Sequence, residues 1–323
     1  MVLAAPCGSI ALDAATRAWL ADEALPGRPI TSARWLAGGF VNTMMLLITD
    51  QGERYVLRRY RTSNGPTACA VETSLAARLI GTVPMVEVVS TDPEGRATGA
   101  PLLLSRYVEG APLSEVLPEL AKGDAAGVGY AVGATLARIG TVTFPRAGSF
   151  RDGSLATNGQ EVLKDLPGVV DRCLDTGKVD SSLTKPEQDG LRAFALRSAS
   201  WLDAVTNARQ LVHMDFNPKN LLVTSCEGRW DVAAVIDWEF AFSGSPLVDV
   251  GNMLRFADYY PPDYVSGFRT GLRDFGGALP TGWRQIAQAL DLFTLAGMLT
   301  DPPDDATFEK IVAVIRRRLQ KAT

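Results

Sequence analysis

Leu211-Val212-His213-Met214-Asp215-Phe216-Asn217-Pro218-Lys219-Asn220 holds the only histidine of the 323-residue chain, and Val235-Ile236-Asp237-Trp238-Glu239 follows, with Asp237 seventeen residues past Asn220. As a pattern this is His-x-Asp-(x)4-Asn, an apolar run, then a second Asp before Trp-Glu. The residue types suit one chemistry. Moving a phosphoryl group from a nucleotide to a hydroxyl needs a carboxylate near the acceptor proton and oxygen ligands for the Mg²⁺ that bridges the phosphates. Asp215 is the candidate for the first task, Asn220 and Asp237 for the second. The run Val232-Ala233-Ala234-Val235-Ile236 reads as a buried strand, and an Asp at its end is costly unless it meets a cation or donors. His213 reads as a backbone brace and not as a proton carrier. Asn217 and Lys219 sit where they can support Asp215 or offer charge to a phosphate, a solvated turn lysine being the plainer alternative.

The N-terminal side of the chain is β-rich. A leading helix over residues 10–25 is expected from Leu12, Ala15, Trp19 and Leu20 on one face, ended by Pro26-Gly27. Two strands then flank a Gly38-Gly39 turn, Arg54 to Arg58 forms a third, residues 67–80 a helix, and Val83–Ser90 and Pro101–Val108 two more strands. Leu36 to Asn42, with Gly38, Gly39 and Asn42, is a candidate phosphate loop, though an ordinary hairpin explains the glycines as well. Alternation along the third strand puts Val56 and Arg58 on one face, where Val56 can lie against adenine and Arg58 can reach phosphates. Glu72 in the next helix is the natural partner of Arg58, and Arg59 points the other way, toward solvent. The main chain at Arg106-Tyr107-Val108 ends the sheet and would read the edge of the base. Beyond Gly110 the pattern is helical, at roughly 113–140, 159–174, 185–206, 246–258, 264–275, 281–299 and 305–321. The exception is a hairpin between Asn220 and Asp237 that turns at Cys226-Glu227-Gly228. The expected division is 1–109, nucleotide-binding, and 110–323, catalytic and acceptor-binding. The Gly-, Ser- and Thr-rich stretch 141–158 is the expected mobile loop.

Composition excludes several classes. An apolar fraction of 46% and a net charge of −4 describe an ordinary folded core with no electrostatic pull on nucleic acid or anionic membrane. The four cysteines (Cys7, Cys69, Cys173, Cys226) form no C-x-x-C and suggest neither zinc nor a disulfide framework. The first Lys or Arg is Arg17, and Gly8 and Asp13 interrupt the early apolar stretches, which argues against a signal peptide. A cytoplasmic protein is expected.

With these residues in hand, the chain resembles the aminoglycoside phosphotransferase and choline kinase family, small-molecule relatives of protein kinases, over roughly residues 30–260. The resemblance rests on His213 to Asn220, on Val235 to Glu239, and on Gly244-Ser245-Pro246-Leu247-Val248-Asp249-Val250-Gly251-Asn252. It implies an α+β, two-lobed protein-kinase-like fold, ATP or GTP as donor, Mg²⁺ as cofactor and a hydroxyl of a small molecule as acceptor. It also implies that Asp249 braces the catalytic loop through backbone donors. No Ala-Pro-Glu element or long activation segment is present, which argues against a protein kinase. In one place the chain departs from the family: Arg58 stands where a lysine is usual, keeping the charge but changing its geometry.

The acceptor is suggested by charge. Between Asp231 and Lys310 there are 12 Asp/Glu against 5 Lys/Arg. Such a surplus can attract a polycation, with Glu239, Asp258 and Asp291 as candidate contacts; a solvated acidic surface is the bland alternative. The favoured expectation is an antibiotic kinase acting on an aminoglycoside or a basic cyclic peptide such as viomycin or capreomycin, conferring resistance. A metabolic kinase for choline, homoserine or a sugar is the second, and a nucleotide-binding pseudokinase, motivated by Arg58, the third.

Overall fold

The computed structural model describes residues 11–36, 42–121, 123–300 and 305–321. The chain packs as two units: Met1–Glu119 with Phe150–Ala156 and Pro218–Phe240, and the remainder from Leu120 onward.

The first unit is built on an antiparallel sheet of β1 (Ile30–Trp35), β2 (Thr43–Thr49), β3 (Arg54–Arg59), β4 (Val88–Asp92) and β5 (Leu102–Arg106), in the order β1-β2-β3-β5-β4. β2 turns into β3 at Gly52, whose φ of 78° suits glycine. β3 lies at the centre, Leu57 pairing with Met45 on one side and Leu104 on the other. Alternation then sorts the faces. Tyr55, Leu57, Leu102 and Leu104 pack with Trp19, Leu20 and Leu25 of the leading helical segment. Leu103 faces the other way, with Tyr60 and with Ala68 and Cys69 of the helix Gly65–Leu79. Arg58 is Leu103's register partner, so the same alternation sends it toward that helix.

The differences from the sequence reading have local causes. β4 begins at Val88 and not at residue 83, because Pro84 cannot donate to a ladder. The helix expected from 159 begins at Leu166, since Pro167 is tolerated in a first turn and Asp165 caps it by accepting from Gly168 N at 3.1 Å. The stretch 113–140 is two helices, Leu113–Val116 and Asp124–Gly140, parted before Gly123 at φ 108°. Arg59 is not solvated: its Nη2 donates to Asp13 Oδ2 (3.1 Å) and Thr16 Oγ1 (2.9 Å), pinning the leading helix to the sheet. The stretch read as a mobile loop contains the strand Gly148–Ser149, paired with Phe242–Gly244.

The hairpin Leu221–Cys226/Arg229–Val235 belongs by packing to the first unit, although it follows the helical half in sequence. Its first strand, Leu221–Cys226, pairs on its other side with Ala111–Pro112, and Val235 N donates to Pro84 O at 2.9 Å. The boundary near residue 110 therefore misses a return crossing.

The second unit is helical around Leu166, Val170, Leu191, Leu292, Leu295, Ile311 and Ile315. Its tightest contact joins Asp124–Gly140 to Pro262–Asp274. An added Cβ would lie 2.2 Å from Tyr264 O at Gly129, 2.0 Å from Phe268 O at Gly133, 2.1 Å from Ala126 O at Gly267 and 2.0 Å from Tyr130 O at Gly271. These helices meet backbone to backbone, and only glycine allows it. Among the described residues no helix is long and apolar enough to cross a membrane.

Candidate active site

In the first unit the site grows from Arg58. Its guanidinium is almost fully buried and reaches three carboxylates: Glu72 at 3.1 Å, Asp237 at 2.6 Å and Glu239 at 3.4 Å. Burial opposes its charge, but Glu72 and Asp237 outweigh that and hold it above its usual range. Burial, then Asp237, pushes the Glu72 carboxyl up against the pull of Arg58, and Tyr60 Oη donates to it. The Arg58 Nε finds no acceptor among the described residues. One cation among three carboxylates leaves a local surplus of negative charge.

Asp237 stands at the end of the hairpin's second strand with φ 69°, a conformation uncommon outside glycine. Trp238, buried, fixes the turn by donating Nε1 to Val235 O at 3.0 Å. Asp237 meets Arg58 through Oδ1 on a side chain about one-third exposed, which leaves Oδ2 for a cation. Asn220 lies beside the same strand end, its carbonyl accepting from Ile236 N at 3.0 Å. These residues fit Mg²⁺: one carboxylate and one amide oxygen, both hard, with surplus charge behind them. Among the described residues no group of three His, Cys, Asp or Glu is placed to hold a metal alone.

Glu239 is held within the first unit. Its side chain is 8% exposed, pairs with Arg58, and accepts from Asn42 Nδ2 at 2.8 Å. Asn42 Oδ1 in turn accepts from Arg61 N at 3.2 Å, so the residue that follows Leu36–Val41 is anchored beside the Arg58 cluster. Burial and Asp237 push the Glu239 carboxyl up. Gly38 and Gly39 lie outside the described residues. Val56 and Val108 are half-buried. Arg106 is spent on Glu87 (3.0 Å) and on Glu53 (3.7 Å), and Tyr107 donates its N to Arg54 O at 3.0 Å. Lys219 is exposed.

In the second unit the loop carrying Asp215 is tied down from below. Asp249, with no exposed surface, accepts from His213 N at 2.8 Å and Met214 N at 2.9 Å; burial lifts its carboxyl to about 7 although both N–H groups oppose this. The His213 ring accepts at Nδ1 from Asp215 N at 3.2 Å, which is bracing. Asn217 Nδ2 donates to Asp215 Oδ1 at 2.6 Å and fixes that carboxylate's rotamer. Asn252 Nδ2 donates to Met214 O, in a residue with φ 73°. Behind it, Arg255 Nη2 donates to Asn252 Oδ1 at 2.6 Å and its Nε to Asp291 Oδ1 at 2.8 Å, while Arg318 closes on Asp291 Oδ2.

That network corrects the acceptor contacts. Asp291 has no exposed surface and serves two arginines, so no acceptor reaches it. Glu239 is committed to Arg58 and Asn42, and Asp258 meets Arg317 through Oδ2 at 2.5 Å while the rest of its side chain stays exposed. The sequence reading passed over Arg255, although a charge within Met253-Leu254-Arg255-Phe256 and another within Leu290-Asp291-Leu292 were signals that the two would meet.

A model of a phosphotransferase enzyme family matches residues 32–288. Among solved structures, the GDP and kanamycin complex of aminoglycoside phosphotransferase APH(2'')-IIIa superposes with a TM-score of 0.68 at 17% identity, covering 95% of this chain and 98% of that one. Aminoglycoside phosphotransferase APH(4)-Ia gives 0.60 at 18%, covering 94% and 98%. A putative aminoglycoside phosphotransferase from Ralstonia eutropha gives 0.65 at 18%, covering 95% and 98%. No curated protein sequence matches.

Proposed function

The chain belongs to the phosphotransferase enzyme family, and from that premise we propose that it moves the γ-phosphate of ATP or GTP to a hydroxyl of a cationic antibiotic, an aminoglycoside or a basic cyclic peptide such as viomycin or capreomycin. The observation that carries the kinase reading is the surplus-negative centre at Asp237 in the first unit, and the bracing of Asp215 within the second supports it. Asn220 and Asp237 would hold Mg²⁺, which neutralises charge developing on the transferred phosphoryl group. Arg58 supplies the fixed positive charge beside them. Asp215, its rotamer set by Asn217, orients the acceptor hydroxyl and takes its proton. Phosphate added to a cationic drug cancels charge where the drug meets its target, which is how resistance would follow. The antibiotic acceptor is supported by the fold shared with enzymes solved with kanamycin and with hygromycin B.

A second reading has one observation in its favour. Two of the carboxylates expected to draw a polycation, Asp258 and Asp291, are paired with Arg255, Arg317 and Arg318, so an acceptor with one charge or none, such as choline, homoserine or a sugar, suits the second unit as well. The experiment is nucleotide turnover with Mg²⁺ across aminoglycosides, viomycin, capreomycin, choline, homoserine and sugars. Asp215→Ala is expected to lower kcat by about three orders of magnitude while nucleotide Kd stays put. Turnover with a metabolite alone would select the second reading, and an Asp215→Ala enzyme of full activity would overturn the assignment of the base.

A further inference from the structure

Between the C-terminal part of Leu247–Leu254, the start of Trp283–Thr300 and the end of Asp305–Lys321 the second unit holds a groove of about 520 Å³. Its lining is unusual for a region whose sequence is acidic: Arg255, Arg284, Arg317 and Arg318 border it, against the single carboxylate of Asp258. Asp291 lies behind the wall and serves Arg255 and Arg318. Four guanidinium groups against the two carboxylates of Asp258 and Asp291 leave a net charge of +2 along the groove. Arg317 gives Nη1 to Asp258 and Nε to Ala313 O, but its Nη2 is buried with no acceptor among the described residues. Arg284 stands over the Trp283 ring at 4.9 Å, with no carboxylate within ion-pair distance among the described residues. The apolar part of the lining comes from Trp283, Phe194, Val250 and Leu254.

A guanidinium fork favours a planar or tetrahedral oxyanion, and an aromatic wall favours a flat apolar body beside it. We propose that this groove is a binding site for a small oxyanion carried on an aromatic or apolar body, an aryl phosphate being the fitting chemistry, with Arg284 and Arg317 as its ligands. The site takes no part in the transfer chemistry assigned above and does not depend on which acceptor the enzyme uses.

The test uses phenyl phosphate and inorganic phosphate as probes, with the nucleotide site filled by Mg²⁺ and a non-hydrolysable ATP analogue. Isothermal titration calorimetry is expected to give millimolar or tighter binding of phenyl phosphate to the wild-type protein. Arg284→Glu, an exposed substitution that breaks no ion pair, and Arg317→Met should each weaken binding about tenfold or more, the loss expected for a charge-assisted contact. Weaker binding of inorganic phosphate would support the role of the aromatic wall. Equal affinity in wild type and Arg284→Glu, or no heat with either probe, would overturn the proposal and leave the arginines as a scaffold for Asp258 and Asp291. An unchanged thermal midpoint of Arg284→Glu without probe separates lost binding from lost fold.

Discussion

Two buried charge clusters, one in each unit, look alike and do opposite things. Around Arg58 one cation faces Glu72, Asp237 and Glu239; around Asp291 one carboxylate faces Arg255 and Arg318. The first is unbalanced toward negative charge and opens to solvent through Asp237, which is about one-third exposed. The second is sealed, Asp291 and Arg255 having almost no exposed surface. A surplus with an opening invites another cation, whereas a closed pair only resists being broken. The difference in exposure, more than in composition, separates a site from a strut.

Substitution at the two aspartates is the sharpest way to break that contrast. Asp291→Ala would strand Arg255 in the interior, and a loss of about 3–5 kcal/mol in urea-unfolding free energy is expected. Unchanged stability would make the cluster dispensable. Asp237→Ala should do the reverse. Arg58 keeps Glu72 and Glu239, so the fold is expected to hold, while Mg²⁺–nucleotide affinity measured by calorimetry falls by about the 100-fold that even supporting groups can cost a metal site. A smaller effect is expected from Arg58→Lys. One ammonium cannot reach Glu72, Asp237 and Glu239 together, so about 1–2 kcal/mol of stability should go. Asp237, less firmly held, should then bind Mg²⁺ at lower concentration, read from the metal dependence of turnover. The smallest effect lies away from both clusters. Arg316, at 2.7 Å, and the backbone of Thr184 hold the exposed Glu187 carboxyl down at about 2, below the 4.5 of the unfolded chain. Its contribution is present above pH 4.5 and is lost as pH falls toward 2; solvent screening keeps it to about 0.5 kcal/mol or less. Thermal melts of wild type and Glu187→Gln should therefore converge toward pH 2.

What the sequence made legible was local. The pattern from His213 to Asp237 and the order of strands and helices follow from spacing and periodicity. Glu72 as the partner of Arg58 follows from strand alternation and the next helix. What it hid were partnerships set by folding. The contact between Asn42 and Glu239 spans 197 residues, and that between Arg255 and Asp291 spans 36; neither leaves a trace in local periodicity. Asp258 and Asp291 read as acceptor contacts because the arginines that pair with them, Arg317 and Arg318, come at the far end of the chain. The hairpin's return to the first unit was hidden for the same reason, its strand partner Ala111–Pro112 lying more than a hundred residues earlier.

The four glycines joining Asp124–Gly140 to Pro262–Asp274 bear on how the second unit can adapt. Packed helices ordinarily slide by re-seating side chains in one another's grooves. Where carbonyls of one helix rest on the Cα atoms of the other, there is no side-chain layer to re-seat. Any repacking of this unit would therefore fall to helices that touch through side chains, such as Leu166–Asp175 and Lys185–Ala199, with the glycine-locked pair as the fixed frame.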